Sequence, residues 1–349
     1  MYRALELVIA ALITLMLFVL IALFLPSSAR VERKVELANP LIQIYDMLNH
    51  FKKYNAWQPW NLDARAQYNY EGAEFGIGSK FIWKSEFNKT EGQGSLEIIE
   101  SEPEAKIKMA LVNDWKGHNK TSTFILEPSD SGKSTVLRWV VEVDYGWDLF
   151  GRYSGLYLDG HVGEFMASGL VKLSQMMSGI PNADYSQVEV TMVDLPPTDL
   201  LYVGGNSPAA PRSWDEAEQK MMASWKEVET YMRRANLQAS GSKRRIINVM
   251  GEETNDFNLA YPVAAYNVEA APPAGNVRWM KTAQGRALST QYRGHRVGVS
   301  KSRDMLRAYA LTHGYEFDRD LVGAWEEWPE QTDEIATPVT VLYLPIATP

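Results

Sequence analysis

The chain has 349 residues, a net charge of −8, 46% hydrophobic and 22% charged residues, and no cysteine. That length suits two domains, and the balance suits a globular protein rather than a disordered one. The acidic charge lacks the basic footprint that nucleic-acid binding needs, so no nucleic-acid partner is expected; the missing thiols exclude disulfides, thiolate metal sites and cysteine nucleophiles.

Residues 1–30 form the first element. The run is uncharged from Leu7 to Ala29 and almost wholly aliphatic across residues 8–25. At about 1.5 Å per residue it is long enough to cross a hydrocarbon core of about 30 Å. A cleaved signal peptide is the competing reading, because Ser27-Ser28-Ala29 offers small residues for cleavage. The run exceeds the usual apolar stretch of a signal, about 7–15 residues, and only Arg3 charges the segment before it. The expectation is a single-pass anchor embedded through residues 7–25. Lys and Arg counts would put the following body in the cytoplasm. The signal-like start points the other way, and a periplasmic or extracytoplasmic body is expected.

Residues 31–40, VERKVELANP, alternate as a half-buried strand does, with Val31, Val35 and Leu37 on one face. Asn39-Pro40 then opens a helix carrying Leu41, Ile44, Tyr45 and Leu48 on one stripe. An aromatic stretch, YNAWQPW, follows at residues 54–60. Strand-like runs come next, with a hairpin turn at Ser129-Asp130-Ser131-Gly132. A long helix over residues 153–177 closes the region, its stripe being Leu158, Val162, Phe165, Leu170, Leu173 and Met177. An antiparallel sheet gripping that helix buries both apolar faces.

VERKVELANP with its helix, the W-x-x-W of Trp57 and Trp60, Gly76-Ile77-Gly78 and the final helix resemble the SRPBCC superfamily, which includes START-related and polyketide-cyclase-like domains. The resemblance covers residues 31–178 and implies a helix-grip fold with an apolar cavity for lipids, hormones or polyketides. Trp57, Trp60, Trp83, Phe165 and Met166 are candidates to line it, with core packing as the alternative.

Residues 179–187, GIPNADYSQ, read as a polar linker. Beyond it, in residues 188–349, the order strand, strand, helix, strand, strand occurs twice. The helices are expected over residues 213–235, with Ser213 as the cap, and over residues 301–313, ended by Gly314. Lys243-Arg244-Arg245 reads as solvated charge at a sheet edge. The fold class expected for the whole chain is α+β: an apolar helix, a helix-grip domain and a duplicated β-β-α-β-β domain.

Gly285-Arg286-Ala287, Tyr292-x-Gly294-His295, the helix ending His313-Gly314-Tyr315, the E-x-aromatic of Glu326 and Trp328, and the closing TVLYLPI resemble GyrI-like effector-binding domains. The resemblance implies two pseudo-symmetric halves around a ligand groove that holds Glu326. That family usually has Tyr where Trp328 stands, which removes a phenol able to donate a hydrogen bond or a proton.

Glu326 and Glu327 are neighbours on a strand in GAWEEWPE, so alternation sends only one of them into a groove. Burial between aromatic walls would raise the Glu326 pKa, making it a candidate acid or base, or a counter-ion for a cation. Tyr202, Tyr261, Tyr292, Trp325 and Trp328 are the other candidates for the groove, whereas Trp225 fits a core stripe. The five histidines show no metal spacing, no phosphate loop occurs in a supporting context, and no cofactor is implied. The reading that follows is a membrane-anchored protein that binds a hydrophobic or cationic small molecule. The alternatives are a hydrolase using Glu326 and a structural subunit of a membrane complex with both cavities collapsed.

Overall fold

A computed structural model describes residues 2–58, 66–85, 92–129, 134–208, 214–251, 253–264, 266–318, 320–330 and 337–347. Trp60, Ser213 and the hairpin residues Asp130, Ser131 and Gly132 lie outside the described residues. The chain divides into two units, Met1–Asn182 and Ala183–Pro349. Together they are an α+β fold of two antiparallel sheets with an apolar helix at the start.

The first unit begins with α1 (Tyr2–Phe24), then β1 (Ser28–Leu37), α2 (Leu41–Leu48) and α3 (Tyr54–Trp57). Strands β2 (Gln67–Gly72), β3 (Ser79–Lys84), β4 (Gln93–Glu102), β5 (Lys106–Asn113), β6 (His118–Pro128) and β7 (Thr135–Asp144) follow, and α4 (Leu149–Ser178) closes the unit. The sheet order is β1-β7-β6-β5-β4-β3-β2, a meander whose last strand turns back to pair with the first. Val31 stands opposite Val141 in that closing pair. Strand β2 was not visible as a run of its own in the sequence: QYNYEG is largely exposed and lacks a clean alternation.

Helix α4 starts earlier than its apolar spacing suggests, because the Asp148 carboxylate accepts from the Gly151 N–H at 2.9 Å and caps it. Its buried stripe is Leu158, Val162, Met166, Leu170, Leu173 and Met177. Phe165 is replaced by Met166 in that stripe: a step of four from Val162 stays on the face, while Phe165 sits about 100° round and is half-buried. The core is aromatic. Trp57 lies 5.9 Å from Trp139 and 6.0 Å from Phe124, centroid to centroid.

The second unit repeats one pattern. Its first half is β8 (Thr191–Leu195), β9 (Asp199–Pro208), α5 (Trp214–Arg234), β10 (Lys243–Met250) and β11 (Thr254–Val263). Its second half is β12 (Arg278–Lys281), β13 (Gly285–Arg293), α6 (Val299–Thr312), β14 (Trp325–Trp328) and β15 (Val339–Ile346). The sheet order is β12-β9-β11-β10-β14-β15-β13-β8. The first strand of each half crosses to the edge of the other, and β10 and β14 meet at the centre. Helix α6 ends at Gly314, whose φ of +71° is open to glycine at little cost. Residues 179–187, read as a linker, contain the boundary between the units; Gln43 Nε2 donates to Pro181 O at 2.8 Å in the first unit, and buried Tyr185 is 2.7 Å from Thr312 Oγ1 in the second.

Candidate functional site

The central seam pairs Lys243 with Trp328, Arg244 with Glu327, Arg245 with Glu326 and Ile246 with Trp325. A basic segment thus lies along an acidic one, register for register. The expectation of solvated edge charge is overturned here, because β10 is an interior strand and Arg245 is only 6% exposed. Alternation distributes the pairs. Arg245 and Glu326 point to one face, at 3.3 Å, and Arg244 and Glu327 to the other, at 2.9 Å.

On the first of these faces Glu326 is 3% exposed and holds three donors. Arg245 is one, Arg303 of α6 is the second, and Trp328 Nε1 at 3.4 Å is the third. Trp328 meets the Trp225 ring edge-on at 4.8 Å. The Arg296 guanidinium lies 4.1 Å from the Trp328 ring centre and pairs with Glu218 of α5 at 2.5 Å. Arg245 also covers the Phe257 ring at 4.5 Å. The positions a cationic ligand would take, beside the carboxylate and over the tryptophan, are filled by the chain's own guanidiniums.

This changes the ionisation expected of Glu326. Burial pushes its carboxyl upward, as anticipated, but the charges of Arg245 and Arg303, with hydrogen bonds from Arg303 and Trp328, outweigh it. The group is held below the ordinary carboxylate value and stays ionised. Burial pulls Arg245 down, against the opposing pull of Glu326; its guanidinium remains charged because an arginine loses its proton only far above neutral pH. Nearby, burial and then the Arg296 charge lower the Lys243 ammonium, which lies 5.2 Å from the Trp225 ring centre. Tyr261 donates to Glu229, and burial followed by that bond pushes its phenol upward, so it keeps its proton.

The candidates therefore separate. Glu326, Trp328 and Tyr261 share the helix-covered face, the last two in one cluster with Trp225. Trp325 and Tyr202 fall on the opposite face, in a cluster with Leu200, Ile246 and Ala260. There Trp325 stacks on Tyr343 at 4.7 Å and 12°. The alternation that splits the two glutamates also sends the Trp325 and Glu326 side chains to opposite faces, although both residues border one small cavity. Tyr292 lies near the end of β13, and its phenol reaches the turn before α6, donating to His295 O at 3.1 Å. A methyl group at Gly298 would stand 2.0 Å from that phenol oxygen, so a larger residue there has to displace the Tyr292 ring. In the first unit Trp57 and Trp83 are buried, at 1% and 7% exposure, and the Trp57 Nε1 has no hydrogen-bond partner among the described residues.

Beside Glu326 a cavity of about 10 Å³ is bounded by Ile247, Arg303, Leu321, Ala324 and Leu342. That is room for one water molecule, against about 300–1,000 Å³ for a small-molecule site. The residues that sequence reasoning missed are Arg245, Arg296 and Arg303. A signal existed for the first: in a duplicated fold the equivalent strands meet at the centre, and KRRI complements WEEW in reverse order. Arg296 and Arg303 carry no comparable mark.

Fold and site together define a two-unit antiparallel α+β protein with a charged, aromatic seam under two helices. No family model and no curated protein matches the chain. Among solved structures it is similar to the crystal structure of the EcmrR C-terminal domain, at 11% identity over 46% of this chain and 98% of that one, TM-score 0.37. The structure of SAV2435 bound to tetraphenylphosphonium is similar at 11% identity over 46% of this chain and 94% of that one, TM-score 0.33. So is ginseng major latex-like protein 151 from Panax ginseng, at 11% identity over 43% of this chain and 97% of that one, TM-score 0.32.

Proposed function

We propose that the chain is a membrane-anchored small-molecule-binding protein. In this reading α1 is the anchor, residues 31–178 are a domain of the SRPBCC, helix-grip kind, and residues 188–349 are a GyrI-like effector-binding domain. The observation that carries it is the seam itself: a carboxylate and a tryptophan buried between the sheet and its helices and closed over by arginine side chains. A core built for stability alone does not need this, because well-packed apolar residues stabilise as much as a buried ion pair or more. Long guanidinium side chains can swing out for a ligand in a way that packed leucines cannot. A hydrophobic ligand, cationic or neutral, then replaces Arg296 over Trp328. A catalytic role for Glu326 has less support, because a carboxylate held well below neutral pH is neither a strong base nor a proton donor.

The test is a thermal-shift screen of the full chain in nanodiscs against lipids, dyes and hydrophobic cations such as tetraphenylphosphonium. A ligand at a hundred times its Kd adds about 2.7 kcal/mol to stability. Arg296→Ala is expected to tighten binding of the same ligand, since the competing internal cation is gone. No shift with any compound sinks the proposal. It would favour the second reading, an interaction module with collapsed pockets, which rests on Trp328 being 1% exposed and on the single-water cavity.

A further inference from the structure

Helix α1 is not isolated from the first unit. Arg152, on the first turn of α4, donates through Nη1 to Ala22 O, Leu23 O and Leu25 O at 3.2, 3.3 and 3.2 Å. These are carbonyls that the end of a helix leaves without partners. The same guanidinium donates to Gly146 O through Nη2 at 2.7 Å and through Nε at 3.0 Å, tying the loop before α4 to the end of α1. Lower down, the Tyr153 ring stacks on Phe18 at 4.1 Å and its hydroxyl donates to Phe18 O at 2.8 Å. Phe150 also lies 5.3 Å from Phe18.

These contacts set a depth. The candidate span Leu5–Phe24 is 20 residues, charged only at Glu6, which at about 1.5 Å each just matches a core of about 30 Å. Phe18 is six residues before the end of α1, so Tyr153 meets it about 9 Å below that end. Withdrawing α1 until Phe18 left the bilayer would keep only Leu5–Leu17 inside, about 20 Å of helix, too short to span. The start of α4 must therefore enter the bilayer boundary along with α1. Its surface suits that place: Trp147, Phe150, Leu156 and Tyr157 are 83%, 67%, 57% and 75% exposed. Aromatic rings with polar edges are the residues that settle at headgroup level.

We infer that the loop before α4 and its first three turns form a membrane-surface dock, in which Trp147, Phe150 and Tyr157 insert into the bilayer interface beside α1. The partner is the lipid surface, and the driving force is apolar burial rather than headgroup charge, since the one guanidinium at the dock, Arg152, is spent on backbone carbonyls. The grip helix is thereby pinned to the membrane at its N-terminal end, and lipid lies next to the first unit's core. This rests on the reading of α1 as a retained anchor.

The chain has no cysteine, so single spin labels are unambiguous. Trp147→Cys and Tyr157→Cys report the dock, Leu15→Cys reports α1, and Val171→Cys, 57% exposed further along α4, reports water. Each full-length variant is placed in phosphatidylcholine nanodiscs, and collision with oxygen and with a water-soluble nickel chelate is measured. The expected result is loss of nickel collisions and gain of oxygen collisions at positions 147, 157 and 15, with the reverse at 171, the dock lying about 5–10 Å into the boundary. Labels at 147 and 157 that behave like the one at 171, with 15 still in lipid, overturn the dock and leave the anchor standing. A water-like or cleaved label at 15 removes the anchor, and the dock with it.

Discussion

Trp57 in the first unit and Glu326 in the second are both closed off from water, at 1% and 3% exposure, yet different forces hold them. Around Trp57 the neighbours are rings, and the favourable term is apolar area removed from solvent. Around Glu326 the neighbours are two guanidiniums and an indole N–H, and attraction between charges must offset the loss of their hydration. The first arrangement tolerates errors of charge nowhere, because none is present. The second depends on every member of the group, because one deletion leaves another charge buried alone. Equal burial therefore does not mean equal response to pH, to mutation or to a ligand.

The comparison breaks most visibly in paired variants. Trp57→Ala is expected to cost about 3–5 kcal/mol through the cavity it leaves. Glu326→Gln should cost a similar amount, about 3–5 kcal/mol, by leaving Arg245 and Arg303 without a counter-charge. Hydrogen exchange of β4–β7 for the first and of β10 and β14 for the second reads the two losses locally. Only the second loss should depend on pH. The folded Glu326 carboxyl lies below its unfolded value, so its contribution is complete above about pH 4.3, the ordinary glutamate value. It is lost as pH falls through the depressed folded value, because the folded carboxylate must then take up a proton. The gap between wild type and Glu326→Gln should close in acid, while the gap for Trp57→Ala stays open. A pH-independent Glu326→Gln penalty would show that the seam is held by packing.

A sharper test replaces all three charges. The triple variant Arg245→Met, Glu326→Leu, Arg303→Leu is expected to be neutral, or more stable by about 1–4 kcal/mol, because no ion is left to desolvate. If ligand binding is lost while stability is kept, the seam serves function rather than the fold. Arg296→Ala should have a smaller effect, about 0.5–2 kcal/mol, from the cation over Trp328 and the pair with Glu218. Smallest of all is the exposed pair Arg30–Glu142 at 3.2 Å, where Glu142→Gln should change unfolding by about 0–1 kcal/mol and serves as the surface control.

Much of this molecule was legible in the chain because the signals are local. The uninterrupted apolar run of α1, the steps of three and four along α4, the repeated β-β-α-β-β order and Gly314 at the end of α6 each depend on residues within a few turns of one another. The alternation that separates Glu326 from Glu327 is equally local, and it holds. Where the reading misplaced residues, local reasoning stopped one step short: Trp325 obeys the same alternation and faces away from Glu326, and Met166 rather than Phe165 completes the α4 stripe.

What only the tertiary structure decided is which charges meet. Arg245 stands 81 residues from Glu326 in sequence and Arg303 stands 23 from it, and both reach its carboxylate. Burial alone predicts a raised glutamate and an open place for a cation; two guanidiniums reverse the first and fill the second. The reason is that hydrophobic periodicity is carried by neighbours along the chain, whereas ionisation answers to every charge within a few ångströms, whichever strand or helix brings it there.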